Sequence, residues 1–456
     1  MKKAHGQELV SFVYGLSFRD LPVDVISRAG DCLMDAIGCG IFGSEQTWSR
    51  ILAAEMRSEN THGDSTIIGQ RAPIAAPAAA LCNGTAIHGF ELDDLIAESI
   101  VHPGAAVVPA ALAAAEAAHA SGETLLLAIV AGYETMHRVG AALGEEPAHR
   151  GFHKTSLAAP VAAAISAGIA TGLSLDQLLS AVGLSCSAAS GVKNFATGNG
   201  GGMVKRLHLG RSAEAGVRMA QLAAREFLGP PGAIDGAMGL LEVFGGVGAR
   251  PERLSGGLGS DWALRDVWFK VYPVCGWIQP VVQILLQLRA ERELLPDQIL
   301  AVKVGVSSYA ARNNGERAPI DTMGAQYSIP YCAALALIGD PRDPAGFLAD
   351  RVADPTIREL AKRVELVVDP DVEAVYPIKF GASVELSLAD GETRRSTVLE
   401  CHGTPADPCG GDELRAKFRL LAGKRFADER VRRIGDCVND IRHLRSVHEL
   451  TSLLRG

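Results

Sequence analysis

Asn83-Gly84-Thr85-Ala86-Ile87-His88-Gly89-Phe90-Glu91-Leu92-Asp93-Asp94, separated by seven residues from His102-Pro103-Gly104, is the stretch on which the fold turns. Ala- and Gly-rich sequence lies on both sides of it, from Pro73 up to Gly89 and again from Ala105 to Ala115. Such runs suit helices that approach closely through small side chains. The spacing predicts a helix over 73–89, with His88 near its C-terminal end. A connection follows over 91–102, and Pro103-Gly104 interrupts any helix crossing it. Carboxylates and imidazoles are costly to bury unless they are paired or used. A dense group of them between apolar helices therefore predicts one wall of a chemical site.

Outward from this stretch the chain continues as helices. Val25, Ala29, Cys32, Leu33, Ala36 and Ile37 keep the i, i+3, i+4, i+7 spacing over 22–43. Similar patterns predict helices at 5–17, 47–58, 105–120, 122–141, 155–171, 175–189 and 209–228. Asp64–Gly69 reads as a short extended piece. The character changes near 266. Val267–Tyr272 and Ile299–Val306 read as strands, 277–293 and Ile329–Ile338 as helices. Val384–Leu388 and Ser396–Leu399 alternate around Asp390-Gly391, a hairpin signal. After a Gly-, Pro- and Cys-containing linker, helices return at 411–422, 426–437 and 443–454. The expected fold is mainly α: a large all-helical domain formed by both chain ends (1–265 and 401–456), with an inserted smaller α/β lid domain (266–400).

Composition narrows the function. The 456 residues are 48% hydrophobic, enough for a large core, and carry a net charge of −8, which argues against a nucleic-acid surface. The N-terminus has no apolar signal core, and no apolar run is long enough for a membrane span. Nine scattered cysteines form neither a disulfide framework nor a CxxC pattern. A soluble cytoplasmic protein is expected.

Beyond the opening stretch, chemistry-bearing motifs recur: Arg150-Gly151-Phe152-His153, Lys205-Arg206-Leu207-His208-Leu209-Gly210, Lys270-Val271-Tyr272-Pro273 and Tyr327-Ser328-Ile329-Pro330-Tyr331. With the Asn83–His88, Asp93-Asp94 and His102–Gly104 pieces they stand in the order found in the MmgE/PrpD family, which the chain resembles over nearly its whole length. That family includes 2-methylcitrate dehydratase, cis-aconitate decarboxylase and iminodisuccinate epimerase. The resemblance implies a helical body, an α/β lid, a homodimer, a small di- or tricarboxylate substrate, and no metal or organic cofactor. By motif it implies Asp93, His102, His153, Lys205 and Tyr331 as catalytic residues and Lys270 as a substrate ligand.

The residue types fit such chemistry. Proton transfer beside a carboxylate needs an acid or base near the carbon and cations on the developing charge. Histidines titrate near neutrality, and lysines hold carboxylates. The glycine loop Gly198–Gly202, with Gly201 and the following Lys205 and Arg206, reads as an anion cradle. It lacks the nucleotide P-loop pattern.

The chain also departs from the family. Leu95 stands where the dehydratase and decarboxylase branches usually have Thr, and Glu91 where they usually have Asp. Pro273-Val274-Cys275-Gly276-Trp277 lacks the histidine they tend to carry after the lid's aromatic-Pro pair. A missing hydroxyl and imidazole weaken reactions that expel a leaving group. The expected activity is therefore an epimerase (isomerase) similar to iminodisuccinate epimerase, with a dehydratase or decarboxylase (lyase) as the alternative. Two readings of other classes carry less. Asp93-Asp94-Leu95-Ile96-Ala97-Glu98 matches a DDxxxE magnesium motif of terpene synthases, but the second motif fails, because His443 and Val447 occupy two of its required positions. A non-catalytic scaffold would not need these polar residues together.

Overall fold

The computed structural model describes residues 4–59, 62–197, 200–292 and 294–456. Among the described residues helices dominate, and the four strands lie between residues 299 and 398. The strands form one sheet in the order β2-β1-β3-β4, with β1 Ile299–Val306, β2 Val364–Val368, β3 Ala382–Leu388 and β4 Thr393–Val398. β1 pairs parallel with β2 and antiparallel with β3, and β3 and β4 form the hairpin expected around Asp390-Gly391. The mainly α class holds. Among the described residues no helix is long and apolar enough to cross a membrane.

Two expectations about strands are corrected. Val267–Tyr272 is not a strand. Trp268 makes a single antiparallel bridge with Leu95, the Phe269 amide donates to the Gly403 carbonyl at 3.0 Å, and Phe269 and Lys270 are buried. The apolar run there serves burial from both sides rather than a ladder. β2 was absent from the expected strands. It is a five-residue parallel strand whose burial does not alternate, so period 2 gives no signal for it.

The helical layer that positions the site is built on glycine contacts. Helix Ala76–Ile87 packs between helices Gly104–Ala117 and Met203–Ala223. At the crossing, Gly84 faces Gly210: a Cβ added at Gly84 would lie 2.8 Å from the Ala105 carbonyl oxygen and 2.9 Å from the Gly210 Cα. A Cβ at Gly210 would collide with the Leu81 carbonyl and the Thr85 hydroxyl. This backbone-to-backbone approach sets His88, at the end of one helix, against Lys205 and Arg206, near the start of the other. Gly210→Ala is expected to cost at least about 1–3 kcal/mol through overpacking, read from the midpoint of urea unfolding.

The C-terminal helices pack on the same layer. Lys417, from helix Gly411–Ala422, donates to Asp35 Oδ1 (2.6 Å) and to the Leu92 carbonyl (2.6 Å). The far end of the chain thus holds the opening stretch in place from below.

Candidate active site

The helix over 76–87 ends in a 3-10 turn, His88–Phe90, and the chain reverses at Glu91, whose φ of 56° and ψ of 31° are left-handed. A non-glycine residue seldom adopts this conformation without local compensation. Here the turn's carbonyls are braced. Arg206 Nε donates to Gly89 O at 2.6 Å, and Gln326 Nε2 donates to Phe90 O at 2.7 Å. The reversal points the Glu91 carboxylate inward, where it is 2% exposed and accepts from both Lys205 and Lys270, the latter at 3.2 Å. Lys270 also lies 3.7 Å from Asp93, and Asp93 accepts from His88 Nδ1 at 2.6 Å. Two lysines and two carboxylates therefore form one buried, charge-balanced network.

Burial opposes both carboxylate charges, but Lys205 and Lys270 hold Glu91 below the ordinary range, and the His88 ring and Lys270 hold Asp93 there. Lys270 is buried too, yet Glu91 and Asp93 keep its ammonium above the usual lysine value. Lys205 goes the other way: burial, with the nearby Lys270, outweighs Glu91 and lowers it. The surroundings thus favour the charged form of Lys270 and disfavour that of Lys205.

The histidines sit above this floor. His102 Nδ1 is 2.8 Å from the Asp94 carbonyl, which only accepts, so Nδ1 carries the proton and Nε2 of the neutral ring keeps its lone pair. Burial, aided by Lys270, pushes the His102 pKa down to about 3. His153 shares a hydrogen bond of 3.1 Å with His208, and its ring is 5.9 Å from that of His88. Burial lowers His153 well below the usual value and takes His208 to about 4. All are neutral imidazoles near pH 7.

Asp94 faces away from the network. It accepts from Tyr133 at 2.5 Å and from the Gly104 amide at 2.8 Å, tying the stretch to the next helix. Burial raises its pKa to about 7. Glu98 is exposed and pairs with Arg253 and His137. The three carboxylates of the DDxxxE pattern diverge, which removes the magnesium-motif reading.

His102 and His153 line a chamber of about 70 Å³, with Lys154, Trp277, Tyr309 and Tyr327 among its other walls. It shares His149, Lys193, Tyr309, Asn313 and Tyr327 with a wider cleft of about 910 Å³. The chamber alone holds a few waters, and a larger ligand extends into the cleft. Trp277 stacks on Phe380 (5.0 Å) and meets Tyr309 (5.1 Å), so one wall is aromatic. Leu95 lies behind it in an apolar cluster with Ala97, Trp268, Phe380 and Cys401.

Of the residues expected from sequence, Asp93, His102, His153, Lys205 and Lys270 come together. Tyr331 does not. It is fully buried, and its hydroxyl donates to the Gly346 carbonyl at 2.6 Å beside Phe347. Tyr327, one helical turn earlier and just before that helix begins, lines the chamber instead, with Lys205 Nζ 5.3 Å from its ring centre. Arg206 is a brace rather than a ligand: besides Gly89 it donates to Gly202 O and Gln326 Oε1, and it lies 4.0 Å over Trp48. Gly201 takes a φ of 73° and is exposed, outside the chamber wall. Gly198 and Asn199 of the expected cradle lie outside the described residues. Glu91 and His88, at the centre of the network, are given no role by the sequence motifs.

Comparison with known families bears on the same segments. The model for the MmgE/PrpD N-terminal domain matches residues 7–251, and that for the C-terminal domain matches 272–442. The chain belongs to the MmgE/PrpD family. Among its MmgE/PrpD relatives is a cis-aconitate decarboxylase-like protein of Aspergillus oryzae, 29% identical over 98% of this chain and 97% of its own. The cis-aconitate decarboxylases of Aspergillus terreus and Homo sapiens are each 28% identical, over 98% and 100% of this chain and 95% of their own length. This MmgE/PrpD chain thus resembles proteins named as decarboxylases, and no epimerase is among them. The C-terminal family match also runs through the linker at 401–411 into the last helices.

Proposed function

We propose that this chain is a lyase that removes CO2 from a small tricarboxylate of the cis-aconitate type, with its proton transfer carried by side chains. The observation behind this reading is the network itself. A lysine with a weakened ammonium is buried beside a fixed Lys270–Glu91–Asp93 triad. Full-length relatives named for that reaction support it. Breaking the bond between a CH2 and its carboxylate releases CO2. The electron pair moves through the neighbouring double bond to the carbon bearing the far carboxylate. One proton is then required there, and Lys205 is the donor, recharged from solvent. Fixed charges that need no reorganisation favour such a developing anion. An aromatic wall suits CO2, which leaves uncharged, better than a departing hydroxide, and dehydration is disfavoured.

A second reading, proton exchange without bond cleavage, rests on His102, whose Nε2 lone pair borders the chamber as a base. This is the epimerase expected from the sequence. Proton NMR in deuterated water with cis-aconitate separates the two. CO2 release with one deuterium in an unsaturated dicarboxylate supports the lyase. Exchange with the substrate skeleton intact supports the epimerase, and with neither the proposal fails. The homodimer is a separate proposal, answered by analytical ultracentrifugation.

Lys154 follows His153 and lines the chamber, and burial takes its ammonium down to about 8. We assign it to a substrate carboxylate. As pH rises through about 8 the cation is lost, so KM should climb while kcat changes little. Lys154→Met should raise KM about tenfold at pH 7 and flatten that alkaline limb.

The two tyrosines give a paired test. Tyr327→Phe is expected to lower kcat about 10–100-fold with little effect on unfolding. Tyr331→Phe should leave kcat unchanged but cost about 1–3 kcal/mol, because the buried Gly346 carbonyl loses its donor. Steady-state kinetics and thermal melts on both variants settle the assignment.

A further inference from the structure

We propose that the linker between β4 and helix Gly411–Ala422 binds a divalent transition-metal ion, zinc fitting best, through His402, Cys409 and Glu413. This site is independent of the catalytic reading. One ligand atom from each of the three lies within 4.8 Å of the others. His402 Nε2 is 2.9 Å from Glu413 Oε1 and 3.9 Å from Cys409 Sγ. In a tetrahedral zinc site with bonds of about 2.0–2.3 Å, ligand atoms stand roughly 3.3–3.7 Å apart. Both spacings reach that range by shifts of a few tenths of an ångström.

The surroundings are arranged as an outer shell. The other ring nitrogen, His402 Nδ1, is 3.1 Å from Asp407 Oδ1, the carboxylate partner that orients many metal-bound imidazoles. Glu413 Oε2 is held by the Gly410 amide at 2.8 Å, which leaves Oε1 for the ion. His402's own amide is fixed on Gln283 Oε1 at 2.8 Å. Imidazole, thiolate and carboxylate together neutralise a divalent charge, and water fills the fourth position. Binding releases the thiol proton and the ring proton on Nε2 to solvent, so it strengthens as pH rises. Cys409 and Glu413 also border a cavity of about 260 Å³, which gives the ion an approach.

A second cluster with metal spacing, His88, Asp93 and His102, belongs to the active site, where the Lys270 ammonium already lies 3.7 Å from Asp93. At the 402–413 clasp Lys417 acts on the Cys409 thiol from across the cavity, but its ammonium is itself held by Asp35 and the Leu92 carbonyl. The clasp would fasten the point where the chain re-enters the helical body, two turns ahead of Lys417.

The test uses the 456-residue chain, stripped of metal. Titration with zinc against a chromophoric chelator should show about one equivalent bound with sub-micromolar affinity, and cobalt should give a thiolate charge-transfer band. Cys409→Ser should remove the band and weaken zinc binding at least about 100-fold. Asp407→Asn should weaken it about 10–100-fold and keep the band. His402→Gln repeats the test should the cysteine variant fail to fold. Absence of stoichiometric binding, or a band and affinity unchanged in Cys409→Ser, overturns the proposal.

Discussion

Glu91→Gln should reduce kcat/KM about 1000-fold while the chain still folds. The substitution keeps the shape and removes the charge. Lys205 and Lys270 then share the interior with Asp93 as the one remaining carboxylate of the network. Stripping one partner from a buried ion pair costs about 3–5 kcal/mol, because the other charge is left uncompensated. At 1.36 kcal/mol per tenfold, that is a rate factor of about 10²–10⁴ if the reacting arrangement bears it. Two consequences separate this from general unfolding. Glu91→Asp, which keeps the charge on a shorter arm, should retain at least ten times the activity of Glu91→Gln. The ammonium of Lys205 should also be destabilised further, moving the pH optimum down. Near-normal turnover in the glutamine variant would show that the network only supports the fold.

How far the sequence leads to this site depends on what kind of information each residue carries. The helical body is legible because small residues recur at helical spacing through 76–87, 104–117 and 154–170. The β3–β4 hairpin is legible because Asp390-Gly391 names its turn. β2 is not, because a short parallel strand alongside one partner needs no alternation. His102, His153, Lys205 and Lys270 stand in ordered motifs, and the fold brings them together, with His102 and His153 lining the chamber and the two lysines buried against Glu91.

Glu91 is the instructive omission. Its importance comes from a left-handed backbone that aims it inward, and a propensity or motif gives no sign of that reversal. A signal was present: three carboxylates within four positions cannot share one role, and Asp94 is the one taken by Tyr133 and Gly104. The Tyr327 and Tyr331 exchange has a similar cause. Both stand in one motif, but Ser328 caps the helix between them, so the first tyrosine lies before the helix and the second inside it. In the sequence Arg206 adjoins Lys205 and so joins the expected anion cradle. Neighbours on a helix point about 100° apart, and its guanidinium instead closes on the 88–90 turn.

Lys205→Met carries the largest effect, an expected loss of about 10⁴-fold or more in kcat. Two terms combine. A positioned general acid is worth about 10²–10⁴. The Glu91 carboxylate also loses one of its two cations, although Lys270 remains to hold it. Because the two residues act as a unit, the double variant Lys205→Met with Glu91→Gln should be scarcely slower than Lys205→Met alone, an interaction of several kcal/mol in a double-mutant cycle. Independent, additive effects would break the coupling on which the site is built. Lys205→Arg separates charge from proton donation: it restores a cation beside Glu91 and recovers stability, but an arginine does not release a proton near neutral pH. Stability should return in that variant and turnover should not. A lysine whose only task is to balance Glu91 would give the opposite, with activity restored by arginine, and the proton would then have to come from His153 or Tyr327.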